Sequence, residues 1–177
     1  MSDATPAGGP AVVLVGPMGV GKTTVGGLLA ARLGTTCRDT DDDIVAADGR
    51  PIPEIFVDEG EPYFRELERA AVRSALAEHT GVVALGGGAV LSAETRGLLA
   101  GLPVVFLEMD VAEAVKRVGL DAPRPLLLLN PRQQWRTLME ERRPLYAEVA
   151  RAIVATGGRT PDEVADEVFD ALELKRS

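Results

Sequence analysis

Eight residues near the start of the chain restrict its fold more than any others. Gly16-Pro17-Met18-Gly19-Val20-Gly21-Lys22-Thr23 follows an apolar, β-branched run at Ala11 to Val15 and leads into Thr23 to Leu33, whose apolar residues recur at helical spacing. The pattern is G-x-x-x-x-G-K-[ST], read as strand, tight loop and helix. Glycines let the loop curl, so that backbone N–H groups and the helix N-terminus point at one anion, where the helix dipole favours negative charge. Lys22 adds a point charge, and the Thr23 hydroxyl is a hard oxygen suited to Mg²⁺ bridging nucleotide phosphates. Gly19, Val20, Gly21, Lys22, Thr23 and Thr24 are therefore the expected contacts to the phosphates of ATP, with Mg²⁺ as the accompanying ion. A plain glycine turn is the alternative, and it requires neither the Lys-Thr pair nor the flanking strand and helix.

Further short apolar runs at Gly81 to Leu85, Pro103 to Leu107 and Ala152 to Ala155 read as buried strands, with a weaker one at Thr36 to Asp39. Between them, Glu66 to Ala77, Ala93 to Ala100, Val111 to Val118, Gln134 to Val149 and Pro161 to Leu174 carry helical periodicity, and another helix is expected just after Asp39. Strand and helix alternate, which predicts an α/β fold with a parallel sheet covered on both faces. The 177 residues suit a single domain, with residues 1–10 as a disordered tail and the proline-containing Gly119 to Pro131 as a functional or mobile loop. A net charge of −8 works against broad attraction to nucleic acid or anionic lipid, so bound anions must be held locally. Cys37 is the only cysteine and cannot form an internal disulfide, which fits a cytoplasmic protein and a small buried role for the thiol. No apolar stretch reaches membrane-spanning length.

Asp39-Thr40-Asp41 closes the second expected strand, and in open parallel sheets ligands sit outside the strands' carboxyl ends. One carboxylate there completes Mg²⁺ coordination while a second orients an acceptor hydroxyl or takes its proton. Asp-x-Asp is also a common helix cap, and Asp42 and Asp43 read as helix-start charges on a solvated face.

Together with the phosphate loop, Asp39-Thr40-Asp41, Phe64-Arg65-Glu66-Leu67-Glu68, Gly86-Gly87-Gly88, Arg124-Pro125-Leu126-Leu127 and Arg142-Arg143-Pro144-Leu145-Tyr146 occur in an order that resembles the shikimate kinases, from about Ala11 to Leu172. The resemblance implies a P-loop fold of five parallel strands ordered 2-3-1-4-5, and transfer of the ATP γ-phosphoryl group to the 3-hydroxyl of shikimate in aromatic amino acid biosynthesis. It assigns Thr23 and Asp39 to Mg²⁺, Asp41 to the acceptor hydroxyls as orienter and base, and Arg65, Gly87, Gly88 and Arg142 to shikimate. Guanidinium forks suit the carboxylate of a small polyhydroxylated ring. Arg124 falls in the Gly119 to Pro131 stretch, which in the family closes as a lid over the phosphates, and Lys22 and Arg124 would stabilise the transferring group. Arg117, Arg159 and Pro161 match positions that flank adenine. ATP and shikimate are thus the expected partners of a monomeric enzyme.

Each assignment has an ordinary rival. Arg65 and Arg142 lie in charged helical segments, where a surface ion pair is the common explanation, and Gly86 to Gly88 reads equally as a flexible turn. His79 reads as a helix-end residue, and Trp135, the only tryptophan, as packing of the helix after the loop. Arg38 stands where the family carries an apolar residue, and Pro62 precedes the Phe64-Arg65 motif. Other readings of the same residues are a P-loop kinase for gluconate or a nucleoside monophosphate, and a nucleotide-binding protein without catalysis.

Overall fold

A computed structural model describes residues 9–110, 112–113 and 131–175. Residues 1–8 of the expected tail and most of the expected lid, with Arg117 and Arg124, lie outside the described residues, as does nearly all of the helix expected at Val111 to Val118. Five strands, β1 (Val12–Val15), β2 (Cys37–Asp39), β3 (Val82–Ala84), β4 (Val104–Glu108) and β5 (Ala152–Ala155), form one parallel sheet in the order β2-β3-β1-β4-β5. The seven α-helices among the described residues are α1 (Lys22–Leu33), α2 (Thr40–Asp48), α3 (Ile52–Glu59), α4 (Glu61–Glu78), α5 (Ala93–Leu99), α6 (Pro131–Val149) and α7 (Pro161–Leu172).

Side-chain alternation along the central strands sorts the core into two layers. Val12 and Leu14 of β1 with Val105 and Leu107 of β4 face α1 and α7, where Val25, Leu29, Val164 and Val168 meet them. Val13, Val15, Val104 and Phe106 face the other way, against Val72 and Ala75 of α4, Leu99 of α5 and Tyr146 of α6. Strands buried on both faces can be apolar throughout, which is why Val12–Val15 reads as a continuous run. Helix α6 reaches both layers, placing Trp135 in the first and Tyr146 in the second, with Met139 touching each. A third, smaller cluster of Ile44, Ile55 and Phe64 joins α2, α3 and α4.

Two elements depart from the sequence expectation. Helix α3 was not anticipated, and α4 begins at Glu61 instead of Glu66. Pro53 and Pro62 both occupy first-turn positions, where the missing N–H has no helical acceptor to lose. Gly60, at φ 87°, makes the bend between these helices. Arg38 leaves the register of β2 intact: Asp39 pairs with Ala84, and the guanidinium turns to Asp43 and Glu78 at 2.7 and 3.0 Å. On an edge strand a charged side chain is compatible with pairing on one side only. His79 caps α4, its N–H bonded to the Ala75 carbonyl.

Candidate active site

The chain leaves β1 into a loop that only glycine can form at three points. Gly16, Gly19 and Gly21 have φ of 149°, 86° and 98°. A Cβ at Gly16 would also lie 2.5 Å from the Leu107 carbonyl oxygen of β4. Gly21 is the N-cap of α1 and offers no side-chain acceptor, so the first N–H groups of that helix stay available to an anion. Lys22 folds back to donate to the carbonyls of Gly16 and Pro17 at 2.7 and 3.0 Å. Burial draws its pKa down to about 8, against the opposing pull of Asp41 and Asp39. Thr24 is exposed on the first turn of α1.

Across from this loop, β2 and β3 end together. The Thr23 hydroxyl donates to Asp39 Oδ2 at 3.0 Å, while Asp39 Oδ1 accepts the Asp41 N–H at 2.8 Å and caps α2. Asp39 is thus both the helix cap of the ordinary reading and a neighbour of the Thr23 oxygen; the two roles use different carboxylate oxygens. Two hard oxygens side by side at this end of the loop are a donor set that fits Mg²⁺. Asp41 points inward, and burial followed by the nearby Asp39 charge lifts its pKa to about 6.

Gly86, Gly87 and Gly88 have a reason beyond flexibility, and none has a positive φ. Each sits where a charged side chain packs on the backbone. A Cβ on Gly86 would lie 2.6 Å from Asp41 Oδ1 and 3.1 Å from Glu68 Oε2; on Gly88, 2.4 Å from Arg65 Nη1. On Gly87 it would be 3.3 Å from the Met18 nitrogen of the phosphate loop and 3.7 Å from Arg142 Nη1. The turn therefore gathers Asp41, Glu68, Arg65, Arg142 and the phosphate loop around one short backbone. Buried Thr40 fastens it to α2, since its hydroxyl accepts the Gly86 N–H at 3.3 Å and lies 3.5 Å from the Ala84 carbonyl.

Arg65 forms ion pairs, as the ordinary reading expected, with Glu61 and with Glu68 at 2.8 Å. Glu68, however, is 4% exposed, so this second pair is a buried support of the site and not a surface bridge. Desolvation pushes the Glu68 pKa up, opposed by Arg65 and Arg142. A cavity of about 220 Å³ opens beside them, lined by Glu61, Arg65, Glu68, Gly88 and Ser92. The sequence reading assigned no role to Glu68, although a signal was present. Phe64, Glu68, Val72 and Ala75 are the buried stripe of α4, and a carboxylate at an apolar position of such a stripe needs a partner.

Arg159 pairs with Glu167, and Pro161 opens α7 behind the Thr160 capping box. Cys37 is half-buried and burial raises its pKa to about 11, in keeping with an inert thiol. No helix among the described residues is long and apolar enough to cross a membrane.

A 2-3-1-4-5 parallel sheet with a phosphate loop between β1 and α1, and paired acidic and basic groups at the next strand ends, defines a P-loop phosphotransferase. Comparison with known proteins narrows the class. The family model described as shikimate kinase matches residues 18–173. The shikimate kinase of Streptomyces avermitilis is 70% identical, covering 95% of this chain and 98% of that protein; its counterpart in Streptomyces coelicolor is 69% identical with the same coverage. A solved shikimate kinase from Acinetobacter baumannii in complex with shikimate superposes with a TM-score of 0.88 at 37% identity, covering 94% of each chain. The chain belongs to the shikimate kinase family, whose members are ATP-dependent kinases.

Proposed function

We infer that this chain transfers the γ-phosphoryl group of ATP to the 3-hydroxyl of shikimate, giving shikimate 3-phosphate and ADP. The observation that carries the reading is the Gly86 to Gly88 turn, which brings two arginines and two carboxylates against the phosphate loop. Backbone N–H groups of Gly19 and Gly21 with those of the first turn of α1 receive the phosphates, and Lys22 exchanges the Gly16 and Pro17 carbonyls for phosphate oxygens. Thr23 and Asp39 would hold Mg²⁺, which when bound neutralises phosphate charge. Arg65 and Arg142 take the acceptor carboxylate, and Asp41 orients the hydroxyl. As the hydroxyl oxygen bonds to the γ-phosphorus, its proton passes to Asp41 and the bond to the ADP oxygen breaks. A carboxylate whose pKa stands near 6 is ionised at neutral pH yet basic enough to accept that proton.

The acidic chain, with a site sized for small anions, fits a cytoplasmic enzyme acting as one unit on two small substrates. Arg117 and Arg124 keep the nucleotide roles their family positions suggest. The test is an acceptor panel. With ATP and Mg²⁺, ADP should form much faster with shikimate than with gluconate or AMP. Equal rates across the panel would remove the assignment, and tight ATP binding with no shikimate-dependent turnover would favour a non-catalytic nucleotide binder.

A further inference from the structure

Tyr146 is fully buried, and its ring lies against Phe106 of β4 with centroids 4.9 Å apart. Phenylalanine would fill that space equally well; the hydroxyl is what needs an account. A phenol has one proton to give and lone pairs to offer. Its proton goes to the Gly87 carbonyl at 2.5 Å. The charge of the nearby Arg142 guanidinium opposes the rise in pKa that burial imposes on the phenol. Both of these partners belong to the acceptor site. Arg142 is four residues earlier on α6, so the two side chains share one face of the helix.

Helix α6 cannot hold this face by its backbone alone. Pro144 lies between Arg142 and Tyr146 in sequence, and it removes an N–H from the helical ladder and crowds the preceding turn. The ring of Tyr146 is instead referenced to the sheet through Phe106, and its hydroxyl passes that reference on to Gly87. Gly87 in turn abuts the phosphate loop at Met18.

We propose that Tyr146 is a positioning residue for the acceptor: its hydroxyl holds the Gly87 peptide and the Arg142 guanidinium in one arrangement, and so sets affinity for the shikimate carboxylate. This inference rests on the acceptor reading above. Tyr146→Phe keeps the ring and its contact with Phe106. The KM for shikimate should rise on the order of tenfold, while kcat and the KM for ATP stay within about twofold. A merely structural role would instead move both KM values together with Tm. In an Arg142→Ala background the same substitution should add less than about twofold, because the group it aims is gone.

An unchanged shikimate KM in Tyr146→Phe overturns the proposal, as does a full additional loss on top of Arg142→Ala. The parent protein in the same assay separates the two levels. If the parent shows no shikimate-dependent turnover, the acceptor reading fails and takes this inference with it; if it turns over normally beside an unaffected variant, only this inference fails. A second measurement avoids the substitution. The chain has two tyrosines, so 3-fluorotyrosine labelling gives two ¹⁹F resonances, assigned by Tyr63→Phe. Saturating shikimate should shift the Tyr146 resonance, and a stationary signal in labelled protein that still phosphorylates shikimate overturns the proposal.

Discussion

In the proposed reaction Asp41 carries function at a cost to the fold. Its carboxylate is ionised at neutral pH although burial and the neighbouring Asp39 both disfavour the charge. Asp41→Asn should lower turnover by about 10²- to 10⁴-fold while leaving ATP affinity nearly intact, which single-turnover and nucleotide-binding measurements would separate. The same variant should be the more stable protein. Because the folded-state pKa of about 6 lies above the usual carboxylate value of 3.8, the folded chain binds this proton more tightly than the unfolded chain. The penalty is therefore absent well below pH 4, grows as pH rises through the unfolded value, and is complete once pH stands above the folded value of about 6. In metal-free protein the stability advantage of Asp41→Asn, read by denaturant titration, should follow that course, reaching about 1–2 kcal/mol after discounting for solvent screening. An advantage independent of pH would contradict the assignment. Glu68 is the reverse case, a buried carboxylate made tolerable by Arg65. Arg65→Ala should cost both shikimate binding and about 1–3 kcal/mol of stability, and adding Glu68→Gln should restore much of the stability but none of the binding, as denaturant titration and KM would show.

Among the elements, the turn after β3 is set by volume, not by backbone conformation. Gly88→Ala would drive a methyl group into the Arg65 guanidinium, the far end of a flexible side chain that can move. We expect little loss of stability and a clear rise in shikimate KM, since the arginine must leave its position. Gly86→Ala meets Asp41 and Glu68, both held by neighbours, and should destabilise the fold by about 1–3 kcal/mol as well as reduce kcat. A Gly88→Ala enzyme with parental KM would show that Arg65 does not contact the acceptor from its present position. The residue types here were legible in the sequence, but their reason was not. Three consecutive glycines after a strand announce a close approach without saying what approaches. That α3 exists at all was also hidden, because Pro53 is a breaker in a helix interior and harmless in its first turn, and the distinction depends on where the helix begins.

At the scale of the molecule, the sheet order places the phosphate loop centrally, with the proposed acceptor groups at the ends of β2 and β3 on one side, where Arg142 and Tyr146 of α6 meet the Gly87 turn. Trp135 shares its buried cluster with Val20 of the phosphate loop. ATP binding should therefore alter the emission of this single tryptophan, whereas shikimate alone should alter it less; identical responses to both ligands would contradict that separation. The alternation of strand and helix, the phosphate loop and the acidic strand end were all decided by the sequence itself, since periodicity, φ-permissive glycines and residue type are local properties that survive without coordinates. Tertiary structure alone decided that the glycines make room for charged side chains and that Tyr146 reaches Gly87 across 59 positions of chain. Those facts concern distance between segments remote in sequence, and only packing against a common sheet brings such segments to hydrogen-bonding range.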